Sequence, residues 1–136
     1  MTIYEETDFY TIAIDEEVPC FHGMLRGYAR SSEDFRAVMV KAYTYAAEHA
    51  KKYPRFYWLS DVRDLRIVID EDIAWLVEWL NPRLVEAGIT HMAAVQPMSF
   101  FGQFSVNEYA AMTDPSGLVI SFFPDVEKAK AWLKSL

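Results

Sequence analysis

A single cysteine, Cys20, rules out an internal disulfide, so packing alone must hold this chain together, and a reducing compartment suits it. Histidine is nearly as scarce, with three in all, His22, His49 and His91. No CxxC or HxxxH spacing is present, so no metal and no cofactor is expected. Basic residues are outnumbered, 13 Lys and Arg against 20 Asp and Glu, and the net charge is −7. Nucleic acid or an anionic membrane would need a basic stripe, and these scattered cations exclude both as partners. No apolar run approaches the roughly 20 residues of a membrane span. The opening MTIYEETDFY is acidic and lacks the basic and apolar regions of a signal peptide, so a cytoplasmic location is expected.

What is present is enough for one core. At 136 residues and 52% hydrophobic, a single domain over 1–136 should bury about two thirds of the surface of its unfolded chain. Aromatics make up 15%, more than one small core needs, which points to a covered outer surface such as a dimer interface.

Read in order, DFYTIAI (8–14) alternates as a strand, and VPCFHGMLRGY (18–28) follows as its hairpin partner. Cys20, His22, Met24 and Arg26 share one face of the second strand. Phe21, Gly23, Leu25 and Gly27 share the other, where the glycines suggest a close approach by the first helix. Ser31 with Asp34 caps that helix, whose stripe of Phe35, Val38, Met39, Ala42, Ala46, Ala50 and Tyr53 ends before Pro54. A central strand, Phe56 to Ser60, runs into Asp61 and Asp64. Helix two opens on the acids Asp70 to Asp72, turns Ile73, Leu76, Leu80 and Leu84 inward, and stops at Gly88. Pro82 must either kink it or, with Asn81 as a new cap, divide it. THMAAVQ (90–96) is the next strand. Ser105 and Glu108 read as the capping box of a short helix, which leaves Met98 to Phe104 as an aromatic loop. A turn at Asp114 to Gly117, a strand from Leu118 to Phe123 and a helix capped by Asp125 complete the chain. The order β-β-α-β-α-β-α-β-α implies an α/β domain with a five-stranded mixed sheet, an N-terminal hairpin plus parallel strands, and about four helices.

In an open α/β sheet ligands are met beyond the carboxyl ends of parallel strands, which places the candidate site at Asp61 to Ile69. Asp61 and Asp64 can hold a polar ligand there; alternatively Asp61 ties down its own loop and Asp64 pairs with Arg63 or Arg66. Arg63 and Arg66 can instead accept an anion at the start of helix two, although Asp70 to Asp72 oppose one. Trp75 and Trp79 either widen the core face or line an apolar pocket or docking surface with Phe100, Phe101 and Phe104. Cys20 and His22 supply two ligands, short of a zinc site. His49 is placed on the solvent side of helix one. An Asp61–His91 acid-base pair fails because the two lie at opposite ends of adjacent strands, around 20 Å apart at about 3.3 Å per residue.

RGYARSSEDFRAVM, WLSDVRDL, DEDIAWL, HMAAVQP and the closing FFPDVEKAKAWL together resemble the SpoIIAA-like family, which joins STAS domains with the lipid-binding Sec14-type fold. The resemblance covers residues 21 to 134. It implies a sheet with helices loaded mainly on one face, the other being free for a partner or a second copy. Val62 to Ile69 depart from it: they contain no Ser, Thr or Gly, so the phosphorylation switch of STAS anti-sigma antagonists is missing here. The expected function is a non-enzymatic, homodimeric STAS-like binding or regulatory module with a small apolar or amphipathic ligand. Two alternatives stay open, a small enzyme using Asp61 or Asp64 as general acid or base, and a partner-binding regulator without a small ligand.

Overall fold

A computed structural model describes every residue from Met1 to Leu136. Six strands form one sheet in chain order: β1 (Thr2–Glu6), β2 (Tyr10–Asp15), β3 (Cys20–Gly27), β4 (Tyr57–Leu65), β5 (His91–Val95) and β6 (Val119–Phe123). β1, β2 and β3 are antiparallel, and β3 to β6 are parallel, as the crossover helices require.

The strand absent from the sequence reading is β1. It lies at the sheet edge with most of its side chains exposed, so no apolar alternation marks it. Polar contacts hold it instead: Thr11 donates to Glu6, and Tyr10, Lys41 and Tyr45 donate to Glu5. Its Tyr4 hydroxyl meets His49 Nε2 at 3.1 Å, which is why His49 is buried and not on the solvent side.

The helices are α1 (Ser32–Ala50), α2 (Asp70–Trp75), α3 (Asn81–Glu86), α4 (Phe100–Met112) and α5 (Val126–Lys134). A π turn, Leu76–Leu80, joins α2 to α3, so these run on as one body and the helical bodies number four. The π turn answers the question posed by Pro82. A proline ring would collide with the Glu78 carbonyl in a regular helix, and the widened turn, in which Asn81 N–H reaches Leu76 O, makes room. Asn81 therefore caps nothing. Its amide lies buried, donating to Thr113 and accepting from Tyr109, and so locks α3 to α4.

α1, the α2–α3 body and α4 cover one face of the sheet, where Ile12, Phe21, Trp58 and Met92 meet Phe35, Ile73, Leu76, Leu80 and Leu84. α5 alone covers the other, packing Ala129 and Leu133 on Cys20, Tyr57, Leu59, Ala93 and Val95. Gly23 is pressed by the ring of Phe21 on its own strand, which leaves 2.6 Å for a Cβ, and no helix causes that crowding. No helix is long and apolar enough to cross a membrane.

Candidate functional site

The segment read as a loop after Ser60 is strand. β4 continues to Leu65 because β3 runs beside it as far as Gly27, with one extra residue of β4 inserted between the pairs Met24–Asp61 and Arg26–Asp64. That bulge shifts the alternation by one, so Val62 and Leu65, three apart, both enter the core of the three-helix face. The broken alternation made the strand look finished at Ser60.

Asp61 thus sits within the sheet, 5% exposed, on the α5 face. Arg63 grips both of its oxygens, Nη2 to Oδ2 at 2.7 Å and Nε to Oδ1 at 2.9 Å, and also donates its amide at 3.3 Å. The same carboxylate raises Arg63 above its ordinary value. Asp64 and Arg66 are exposed, and neither makes an ion pair. The register sets Asp61 beside Val95, four residues beyond His91, so about 13 Å separates them along the strands, less than the sequence spacing suggested and still far from contact.

Met98 to Phe104 is not a loop. α4 begins at Phe100, and Ser99, not Ser105, is its cap, accepting from the Gly102 amide at 3.0 Å. Ser105 lies buried in mid-helix, where its hydroxyl accepts from the amide of Val68 and donates to the same residue's carbonyl. Gly102 allows this approach, since a Cβ there would stand 2.5 Å from the Leu65 carbonyl oxygen. The first turns of α4 then project Phe100, Phe101 and Phe104 outward at 75%, 62% and 60% exposure, next to Met98 at 74%.

Trp75 and Trp79 stack at 5.1 Å and an interplanar angle of 8°, on the α1 side of their helix. Arg36 lies over Trp75 at 5.4 Å, Arg83 over Trp79 at 4.3 Å, and Tyr43 meets Trp79 edge-on. The structure brings the two tryptophans together, and Phe100 to Phe101, without joining the pairs. None of these residues, nor Phe104, lines an interior cavity.

Such a cavity does exist, about 70 Å³ between the sheet and the three helical bodies, with 15 of its 17 lining residues hydrophobic. Phe35, Trp58, Leu76, Leu80, Met92 and Tyr109 form its walls. Its three hydroxyls are already engaged, Ser60 by the Trp58 indole at 2.7 Å, Ser105 by Val68 and Tyr109 by Asn81. An apolar space of this kind favours nonpolar contents over water, and leaving it unfilled costs on the order of 1–2 kcal/mol at ~24 cal/mol per Å³. Its signal in the sequence is faint: small residues, Ser60, Ala94 and Ser105, stand among large ones.

The α5 face carries a second feature that residue patterns did not disclose. His22 is 2% exposed and both ring nitrogens lack a partner. Burial pushes its pKa down to about 4, helped by Lys130 and opposed by Asp61 and Asp15. Burial pushes Asp15 up, but hydrogen bonds from Lys130 and the Glu17 and Val18 amides outweigh it, leaving that carboxyl below its ordinary value. Cys20 is pushed up to about 12, by burial first and the Asp15 charge second, so its thiol is inert. No group of three or more potential metal ligands gathers anywhere in the fold. Comparison with protein families, curated proteins and solved structures returns no match to this chain.

Proposed function

We propose that this chain is a non-enzymatic binding or regulatory module of the STAS-like, SpoIIAA-like kind, cytoplasmic and homodimeric, which holds a small apolar molecule between its sheet and its three-helix layer. The apolar cavity carries this reading. A void of about 70 Å³ at the centre of the layer withholds stability that a methyl or two would restore, and its walls offer a ligand contact without hydrogen bonds. It is smaller than the about 150 Å³ that admits benzene, so the ligand class is a molecule of a few carbon atoms. The unequal helix layers also support the family reading. General acid or base work by Asp61 is disfavoured, because both of its oxygens are committed to Arg63.

Native mass spectrometry of the freshly purified protein tests the proposal. A dimer with extra mass, lost when Val62 is enlarged to Ile at the cavity wall, is the expected result. A protein that carries no added mass and takes up no xenon under pressure refutes the ligand. The exposed Met98, Phe100, Phe101 and Phe104 favour a second reading, docking of a protein partner on α4. Phe100→Glu with Phe104→Glu would then abolish capture of that partner while leaving the melting temperature within a few degrees.

A further inference from the structure

The two edges of the sheet differ in how they meet another strand. β1 carries a bulge between Ile3 and Glu5 and the charged Glu5 and Glu6. Bulges and charges are the means by which an edge refuses a partner. β6, with the sequence VISFF, has no charge, no proline and an unbroken register against β5. It packs on β5 and α5, and α5 turns back over β5 and β4, away from the outer edge.

The backbone of β6 shows which groups remain free. The Val119 amide donates to Thr90 O at 2.9 Å, and Phe123 O accepts from the Gln96 amide at 3.0 Å. Along a strand the hydrogen-bonding groups alternate sides, so Val119, Ser121 and Phe123 address β5, while Ile120 and Phe122 present N–H and C=O to the open edge.

We propose that β6 joins two copies of this chain, paired antiparallel about a two-fold axis at Ser121, so that the sheet continues from one protomer into the next. This rests on the homodimeric reading above and gives it a surface. In this register Ile120 exchanges both backbone hydrogen bonds with Phe122 of the second copy, and Ser121 meets its own copy as a non-hydrogen-bonded pair with Cα atoms about 4.5 Å apart. Ile120 opposes Phe122 on the three-helix face, and Val119 opposes Phe123 on the α5 face. Pairs of aromatic with β-branched side chains stabilise neighbouring strands, and here the match is self-complementary on both faces. Each copy bears a net charge of −7, and the two meet along a strip where neither carries any.

The test uses the full chain with Ser121→Cys. A Cα separation of about 4.5 Å lies within disulfide reach, and buried Cys20 does not compete. Under diamide, cross-linking at Ser121→Cys should proceed roughly tenfold faster than in a Ser116→Cys control on the exposed turn, at equal protein concentration. In analytical ultracentrifugation, Ser121→Lys, which sets like charges opposite each other, should weaken the dimer roughly tenfold or more with an unchanged circular dichroism spectrum. Ser121→Cys replaces one atom, so it reports the register even where the lysine disturbs folding. Cross-linking no faster than the control, with a dimer that persists in Ser121→Lys, overturns the β6 contact and leaves the dimeric function standing. A wild-type chain that sediments as a monomer at high concentration overturns both.

Discussion

Replacement of His22 by Leu should make the protein more stable at neutral pH and less sensitive to acid. The imidazole is 2% exposed on the α5 face, with Asp15 and Lys130 on one side, Asp61 and Arg63 on the other, and no partner for either nitrogen. Its pKa falls from an ordinary 6.5 to about 4 on folding, so between these values the unfolded chain binds the extra proton. A depressed value of this kind leaves stability intact above about pH 6.5 and removes it as the pH falls towards 4. The full difference is about 2.5 pH units, on the order of 3 kcal/mol, of which about 2 kcal/mol is already lost at pH 5. Leucine has a similar volume and no polar atoms, so at pH 7.5 the variant should gain about 1 kcal/mol from the removal of an unpaired donor and acceptor. Urea unfolding of both proteins at pH 7.5, 6 and 5 measures this, because the difference between them isolates His22 from the other titrating groups. Stability curves that run parallel across this range, or a variant weaker by more than 1 kcal/mol at pH 7.5, would show that the ring is solvated or bonded and refute the reasoning.

Enlarging a wall of the cavity with Val62→Ile should raise the unfolding free energy by about 0.5–1 kcal/mol, one methylene's worth of burial, and a loss in urea denaturation would show the space already filled. Gly102→Ala should cost about 1–3 kcal/mol, because the new methyl meets the Leu65 carbonyl oxygen at 2.5 Å; thermal unfolding unchanged from wild type would mean that α4 can move away from β4. Asn81→Ala should cost about 2–3 kcal/mol, since the buried Tyr109 hydroxyl loses its acceptor and Thr113 its donor. A cost below about 0.5 kcal/mol in the same assay would indicate that water takes the place of the amide.

Much of the architecture was legible because the residues obey short periods. The Phe35–Met39–Ala42–Ala46 stripe and the Ile73–Leu76–Leu80–Leu84 stripe are both buried as their spacing demands, and Ser31 caps α1 through the Asp34 amide at 3.1 Å. Asp125 likewise caps α5, and Ala129 and Leu133 face inward. The errors fall where period and burial part company. β1 is an edge strand with little to bury. α4 opens on phenylalanines that point outward, so its start reads as an aromatic loop in the sequence. β4 changes phase at its bulge, and an acid in mid-strand resembled an acid beyond the strand end.

The candidate site divides along the same line. That Asp61 accepts an amide of its own segment, that of Arg63, follows from its place near the end of the central strand, and the closeness of Trp75 and Trp79 follows from their spacing of four on a helix. The sequence pairs the Arg63 side chain with Asp64, and it meets Asp61 instead because the fold buries that carboxylate and leaves Asp64 exposed. The cavity and the unpaired His22 depend on how side chains from β3, β4, β5 and four helical bodies fill a shared volume. No local pattern encodes that sum.

By itself the sequence determined the class of fold, the parallel order of the later strands, the inward faces of its helices and an acidic chain without an internal disulfide, because each depends on neighbouring residues or on composition. The tertiary structure decided that Asp61 is spent on Arg63, that His22 has no partner and that the helical layer leaves a void. It also set the contrast between the guarded edge at β1 and the bare edge at β6. These depend on distances between residues far apart in the chain, which exist only once the sheet has closed its register.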